Sequence, residues 1–223
     1  MIDLIAHVNS KSPVAEAYRT IRTNIRFSGV DKPLKSIVVT SATPNEGKST
    51  VIANLAVVLA QAGNKVILLD CDLRNPTQHK LFELENKGLS NCIAMGKAVA
   101  ELTQDTPLEN LKILCAGPIA PNPSELLCSQ ALLNIFESLR EDYDYILVDA
   151  PPVLPVTDAA VLASKLDAVI QVVAANQVSP DEAKVAKQRL EQVKANIIGV
   201  VLNRVDVRDS RGGYGYYYYY VDK

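Results

Sequence analysis

Ser36-Ile37-Val38-Val39-Thr40-Ser41-Ala42-Thr43-Pro44-Asn45-Glu46-Gly47-Lys48-Ser49-Thr50 decides how this chain is read. Residues 36–40 form a short β-branched run, the mark of a buried strand. Residues 49–62 read as a helix, with Ile52, Leu55, Ala56 and Leu59 on one face and Gly63 as its stop. The loop between them is a Walker A motif, G-x-x-x-x-G-K-[ST], with Ala42 in place of the first glycine. That position needs only a small residue. The bland alternative is a chance Gly-Lys-Ser-Thr at a helix start, and the flanking strand and helix argue against it. Backbone N–H groups along Thr43, Pro44, Asn45, Glu46, Gly47, Lys48, Ser49 and Thr50, proline excepted, are placed to cradle phosphates at a helix N-terminus. Lys48 would reach the β- and γ-phosphates, and the Ser49 hydroxyl would take Mg²⁺.

Two further strands end in acids. In the strand Lys65–Asp70 the run Val66-Ile67-Leu68-Leu69 is apolar and closes on Asp70-Cys71-Asp72, and Tyr145-Ile146-Leu147-Val148 closes on Asp149. Asp-x-Asp alone is weak evidence, since a solvated turn has the same look. Beside a phosphate loop, however, two carboxylates one residue apart suit metal and base roles. Four apolar residues followed by an acid describe a Walker B strand, whose carboxylate holds Mg²⁺. Further strands are expected at 111–115, 168–174 and 197–203. Helices are expected at about 13–28, 124–139, 156–164 and 180–195. In the first of these Ser12 caps, Pro13 takes the first helical position, and Val14, Ala17, Ile21 and Ile25 share one face. Apolar strands alternating with helices predict an α/β fold of the P-loop NTPase type, a mostly parallel sheet with helices on both faces. In such sheets ligands bind at the carboxyl ends of the strands.

The chain has 223 residues, 48% hydrophobic and 22% charged, with a formal net charge of −2. These values predict one domain, residues 1–206, and a flexible tyrosine-rich tail, 207–223. They give no basic footprint for nucleic acid. The N-terminus lacks the pattern of a signal peptide. No apolar run approaches the roughly 18 residues that span a bilayer, so a cytoplasmic location is expected. The four cysteines show no metal spacing, and two histidines make a zinc site a poor prospect. The tail holds six of the nine tyrosines: Tyr214, Tyr216, Tyr217, Tyr218, Tyr219 and Tyr220. Exposed phenols on a tail make a poor core and good phosphate acceptors. A sticky, non-catalytic adaptor is the reading from another class.

The combination of Ala42–Thr50, Val66-Ile-Leu-Leu-Asp70-Cys71-Asp72, Ile146-Leu-Val-Asp149 and the C-terminal tyrosine cluster resembles the bacterial tyrosine kinases of capsule and exopolysaccharide production. The likeness runs from about Ser12 to the tail. Supporting stretches include Tyr18–Asn24, Arg74–Gln78, Gly117-Pro118 with Pro121–Leu126, and Pro151-Pro152 with Thr157–Ala159. The resemblance implies an ATP- and Mg²⁺-dependent kinase that phosphorylates its own tail in trans. Asp70 would be the base toward the tyrosine hydroxyl, Lys48 the phosphate-binding catalytic cation, and Ser49, Asp72 and Asp149 the metal group. Asn203 would lie near the adenine. A tyrosine with a pKa of about 10 needs such a base at neutral pH. Glu16, Arg19 and Arg22 match the family's E-x-x-R-x-x-R ring-assembly motif. Helical spacing puts them opposite the Val14/Ile21/Ile25 stripe, where the bland reading is a solvated face. The resemblance further implies a homo-oligomeric ring, a separate transmembrane activator recruiting the kinase to the inner face of the membrane, a cognate phosphotyrosine phosphatase, and protein substrates.

Asn75 stands where relatives often have lysine, and no role is assigned to it. The main rival is a partitioning ATPase of the ParA/MinD type, which carries a second lysine where Thr43 stands. Asn203-Arg204-Val205-Asp206 also looks like the N-K-x-D guanine reader of GTPases. No eukaryotic-type kinase signature is present.

Overall fold

A computed structural model describes residues 3–30 and 32–205. The tail and its tyrosines lie outside the described residues. The elements run in the order α1 (Ile5–Val8), α2 (Pro13–Ser28), β1 (Ser36–Ser41), α3 (Lys48–Ala60), β2 (Val66–Asp70), α4 (Gln78–Leu81), α5 (Leu89–Met95), α6 (Val99–Leu102), β3 (Gln104–Asp105), β4 (Leu111–Leu114), α7 (Pro123–Cys128), α8 (Gln130–Asp142), β5 (Tyr145–Asp149), α9 (Asp158–Ala163), β6 (Ala168–Ala174), α10 (Pro180–Gln192) and β7 (Ile197–Asn203). The sheet order is β3-β4-β2-β5-β1-β6-β7. All pairings are parallel except that of β3, a two-residue edge piece antiparallel to β4.

Helices cover both faces, and alternate strand residues point to each. Ile37 and Val39 of β1 pack on the side of α1–α3, whereas Val38 packs with α8, α9 and α10. Helix α3 is apolar around its whole circumference, with every residue but Thr50 buried. Such a helix is stable only when sandwiched, and it lies between the sheet and the α1–α2 pair. Each buried Val, Leu or Ile of this layer stabilises the fold by about 1.5–3 kcal/mol. Asn54 of α3 is buried as well, and its Oδ1 accepts from Ala6 N at 2.9 Å, which docks α1.

Two expectations are corrected. The single helix at 124–139 is two helices, broken at Ser129. That residue has extended backbone (φ −66°, ψ 153°), and its Oγ accepts from Leu132 N to cap α8. On α2 the buried face is Ala15, Tyr18 and Ile25, while Val14 and Ala17 are exposed. The small Ala15 lets α2 approach closely, and the Tyr18 ring supplies the apolar area. The face is thus rotated by about one residue from the expected stripe. Arg22 does not lie opposite the packed face: it is half-buried, and its Nη1 donates to Val58 O of α3 at 3.0 Å.

Candidate active site

The strand order sets β2, β5 and β1 side by side, and Asp149 pairs in register with Asp70 on one side and Val39 on the other. Residues 42–47 then leave β1 for the N-terminus of α3. Asn45 (φ 66°) and Gly47 (φ 88°) are left-handed, which turns the loop tightly. Any Cβ at Gly47 would collide with Asn203 Nδ2. Asn203, expected near a base, donates that amide to Glu46 O at 2.9 Å and so clamps the loop to the end of β7. The neighbouring Arg204 lines the cleft instead. Its Nη1 reaches Gln177 Oε1, and Gln177 reaches Pro44 O. The buried Glu46 carboxylate braces the loop from within, accepting from Thr43 N at 2.6 Å and from Ala174 N of β6 at 3.1 Å.

Lys48 Nζ lies 2.9 Å from Asp72 Oδ2, 3.8 Å from Asp149 Oδ1 and 3.3 Å from Ser49 Oγ. Burial opposes its charge, but Asp149, Asp72 and Asp70 outweigh burial and raise its pKa. Asp70 is fully buried. Its Oδ2 accepts from Thr77 N (2.8 Å) and Gln78 N (2.9 Å), and its Oδ1 from Asp72 N (3.2 Å). Burial, then the adjacent Asp149, pushes its pKa up to about 8 from the ordinary 3.8. Asp149 is raised too, chiefly by burial, with Lys48 and Gln78 working against the rise. Burial likewise pushes the Cys71 thiol up, which suits a filler.

These groups back a cleft of about 640 Å³. Pro44, Asn45, Gly47, Lys48, Ser49, Thr50 and Asp72 line it, and Pro151, Pro152 and Arg74 form much of the far wall. Arg74 is fixed by Asp158, Nε to Oδ2 at 2.9 Å, and by Ser124 Oγ at 2.9 Å. Asp70, Asp149 and Glu46 stand behind the lining, fully buried. Glu16, Arg19 and Arg22 sit apart from the cleft on α2. Arg19 pairs with Glu16 at 2.7 Å and donates to Ser10 O.

The donors present fit Mg²⁺. Three acids face one lysine, and Asp149 Oδ1 is buried without a hydrogen-bond partner among the described residues. No preformed group of three or more metal-binding side chains occurs among the described residues. Mg²⁺ suits that arrangement, because it is held by one or two carboxylates together with water and substrate phosphates.

Sequence reasoning missed the side chain of Gln78, the brace made by Glu46 and the Arg74–Asp158–Ser124 link. Only the pattern Arg74–Gln78 hinted at the first and third, without saying what each side chain touches.

A family model described as an AAA domain matches residues 34–200. The putative tyrosine-protein kinase CapB of Staphylococcus aureus is 41% identical over 216 residues, covering 96% of this chain and 94% of CapB. The tyrosine-protein kinase YwqD of Bacillus subtilis (strain 168) is 41% identical over 96% of this chain and 91% of its own. Among solved structures, the chimerical protein CapA2B2 superposes with a TM-score of 0.87 at 43% identity, covering 91% of this chain and 89% of that one. The kinase domain of the Escherichia coli tyrosine kinase ETK gives 0.90 at 34% identity, covering 96% and 84%. The rival class is more distant: MinD of Pyrococcus horikoshii OT3, complexed with Mg-ADP, gives 0.66 at 26% identity, covering 79% and 72%.

Proposed function

Because the chain belongs to the bacterial tyrosine-protein kinases, we propose that it moves the terminal phosphoryl group of ATP onto tyrosine hydroxyls, first onto Tyr214 and Tyr216 to Tyr220 of a second copy, in the service of capsular or extracellular polysaccharide synthesis. The observation that carries this reading is the meeting of Lys48, Ser49, Asp72 and Asp149 where β1, β2 and β5 end, with Asp70 directly behind.

In this mechanism the loop N–H groups and Lys48 bind the phosphates, so Lys48 exchanges part of its contact with Asp72 for phosphate oxygens. A bound Mg²⁺, held by Ser49, Asp72 and Asp149, would neutralise developing charge on the transferred group. Asp70 takes the phenolic proton at a carboxylate oxygen. With its pKa raised to about 8, Asp70 is a stronger base than a free aspartate once it is ionised, and it must release its own proton before it takes one from tyrosine. Because Asp70 is fully buried, an acceptor reaches it only if the turn at residues 72–77 yields.

Asn203 uses its amide on the loop carbonyl and so acts on the loop, and ATP as the nucleotide rests on the family. Among the described residues no helix is long and apolar enough to cross a membrane. The likeness to the CapA2B2 chimera supports recruitment to the membrane by a separate activator. Glu16, Arg19 and Arg22 are proposed as ring contacts. Within a ring the tail of one copy would meet a neighbour's cleft at an effective concentration of about mM. Each phosphate adds about −1.5 to −2 charge, which favours disassembly and sets the work of a phosphatase.

The test is incubation with Mg-ATP followed by phosphotyrosine detection and ADP release. Changing all six tail tyrosines to Phe should abolish the phosphotyrosine signal while ATP hydrolysis persists. Phosphotyrosine that survives on Tyr143 or Tyr145 would refute the tail as the main acceptor.

A further inference from the structure

Gln78 touches Asp70, Asp149 and Ser49 at once. It opens α4, and its backbone N–H donates to Asp70 Oδ2 at 2.9 Å. Its side-chain Nε2 donates twice, to Asp149 Oδ2 at 2.7 Å and to Ser49 O at 3.1 Å. The side chain is fully buried. The amide orientation follows from the partners: a carboxylate and a carbonyl both demand donors, so the flipped amide would set three acceptors against one another. In this orientation neither Gln78 Oε1 nor Asp149 Oδ1 has a partner at hydrogen-bond geometry among the described residues, although the Ser49 hydroxyl lies near enough to help lower the Asp149 pKa. A purely structural glutamine at full burial would satisfy both ends. This one leaves its acceptor end open beside a carboxylate whose second oxygen is also open.

We propose that Gln78 is a positioning residue for metal binding: it holds Asp149 by Oδ2, keeps Oδ1 turned toward Lys48 and the cation, and locks that carboxylate to the first turn of the phosphate-binding helix through Ser49 O. The inference rests on the kinase reading for the identity of the cation. Its logic is that of any group behind a metal ligand, where the hydrogen bond that fixes the ligand tunes affinity without touching the ion. The two-ended contact also makes nucleotide and metal interdependent, because Ser49 belongs to the phosphate helix and Asp149 to the metal side.

The experiment is binding of a fluorescent ADP analogue by the full chain, titrated in EDTA and then with added Mg²⁺. Gln78→Leu removes both side-chain donors at similar volume. Gln78→Glu keeps the shape but sets a second carboxylate against Asp149. Both variants should bind the analogue in EDTA as the parent does. Both should need about 10–100-fold more Mg²⁺ for the metal-dependent gain, Gln78→Glu the more at high pH. Equal loss with and without Mg²⁺, or no loss in either variant, overturns the proposal. If Gln78→Leu fails to fold by circular dichroism, Gln78→Asn, which keeps the amide but shortens its reach, gives the same comparison. Failure of the kinase reading would look different: normal Mg²⁺ dependence of binding without any phosphotyrosine.

Discussion

Asp70 and Asp149 close the carboxyl ends of β2 and β5, while Asp167 stands just before β6 at the sheet's other end. Asp167 is fully engaged. It accepts from Ser36 N and Oγ at 2.9 Å each, from Lys35 N at 3.1 Å and from Arg140 Nη2 at 2.9 Å. Burial opposes its charge, but Arg140 and Ser36 prevail and hold its pKa below the ordinary value. At the carboxyl end the balance reverses: acids crowd together, burial prevails, and both Asp70 and Asp149 are pushed up. One residue type serves as a structural rivet at one end and as an under-compensated charge at the other. The crowded, strongly buried carboxyl groups and the Asp149 oxygen without a hydrogen-bond partner mark the end that awaits a ligand.

Four changes test that contrast. The largest effect is expected from Lys48→Met, which removes the cation on which the acids converge. Phosphoryl transfer should fall by about 10³-fold or more in a quantitative phosphotyrosine assay; retention of a tenth of the rate would place the chemistry elsewhere.

Asp70→Asn should lower transfer by about 10²–10⁴-fold and spare ADP binding. It should also change the pH dependence of stability. Folded, Asp70 keeps its proton up to about pH 8; unfolded, it releases it near 3.8. The folded state therefore binds the extra proton between those values, and stability falls as pH rises through that window. Thermal midpoints at pH 5 and pH 8 should differ less in Asp70→Asn than in the parent. An equal difference would mean that Asp70 is already ionised in the fold.

Asp167→Asn should act on stability alone, costing about 1–3 kcal/mol by urea midpoint. Because the folded pKa is depressed, the contribution is present above the unfolded value and lost as pH falls through the folded one. The deficit should thus be clear at neutral pH and shrink below about pH 4. A loss of kinase activity at unchanged stability would erase the distinction between the two ends. Smallest in stability is Arg19→Ala with Glu16→Ala, an exposed pair worth only a few tenths of a kcal/mol. With Arg22→Ala added, light scattering should report a monomer; an unchanged assembly would return this face to ordinary surface.

The fold was legible because its signals are local. Apolar strands ending in Asp70 and Asp149, and the Ala42–Thr50 turn between strand and helix, need no partner to be recognised. What escaped depended on contacts through space. The helix at 124–139 hid its break because Ser129 fits a helix in composition and acts as a cap only through its Oγ. The face of α2 differs by one position because Ala15 and Tyr18, not Val14, are the buried residues of its first turns. At the site, residue types were readable but arrangement was not. Glu46 reads as one more loop position, although its carboxylate bridges Thr43 and Ala174, and the stretch Arg74–Gln78 does not say what the Gln78 side chain touches.

A nascent chain exposes Lys48 long before it exposes Asn203. The central strand β1 needs β5 and β6 on either side, and the nucleotide loop receives its last hydrogen bond from residue 203. Until Asn203 has been made, the loop exists as sequence without its latch. Competence to hold nucleotide therefore waits on a residue more than 150 positions downstream of the loop it latches.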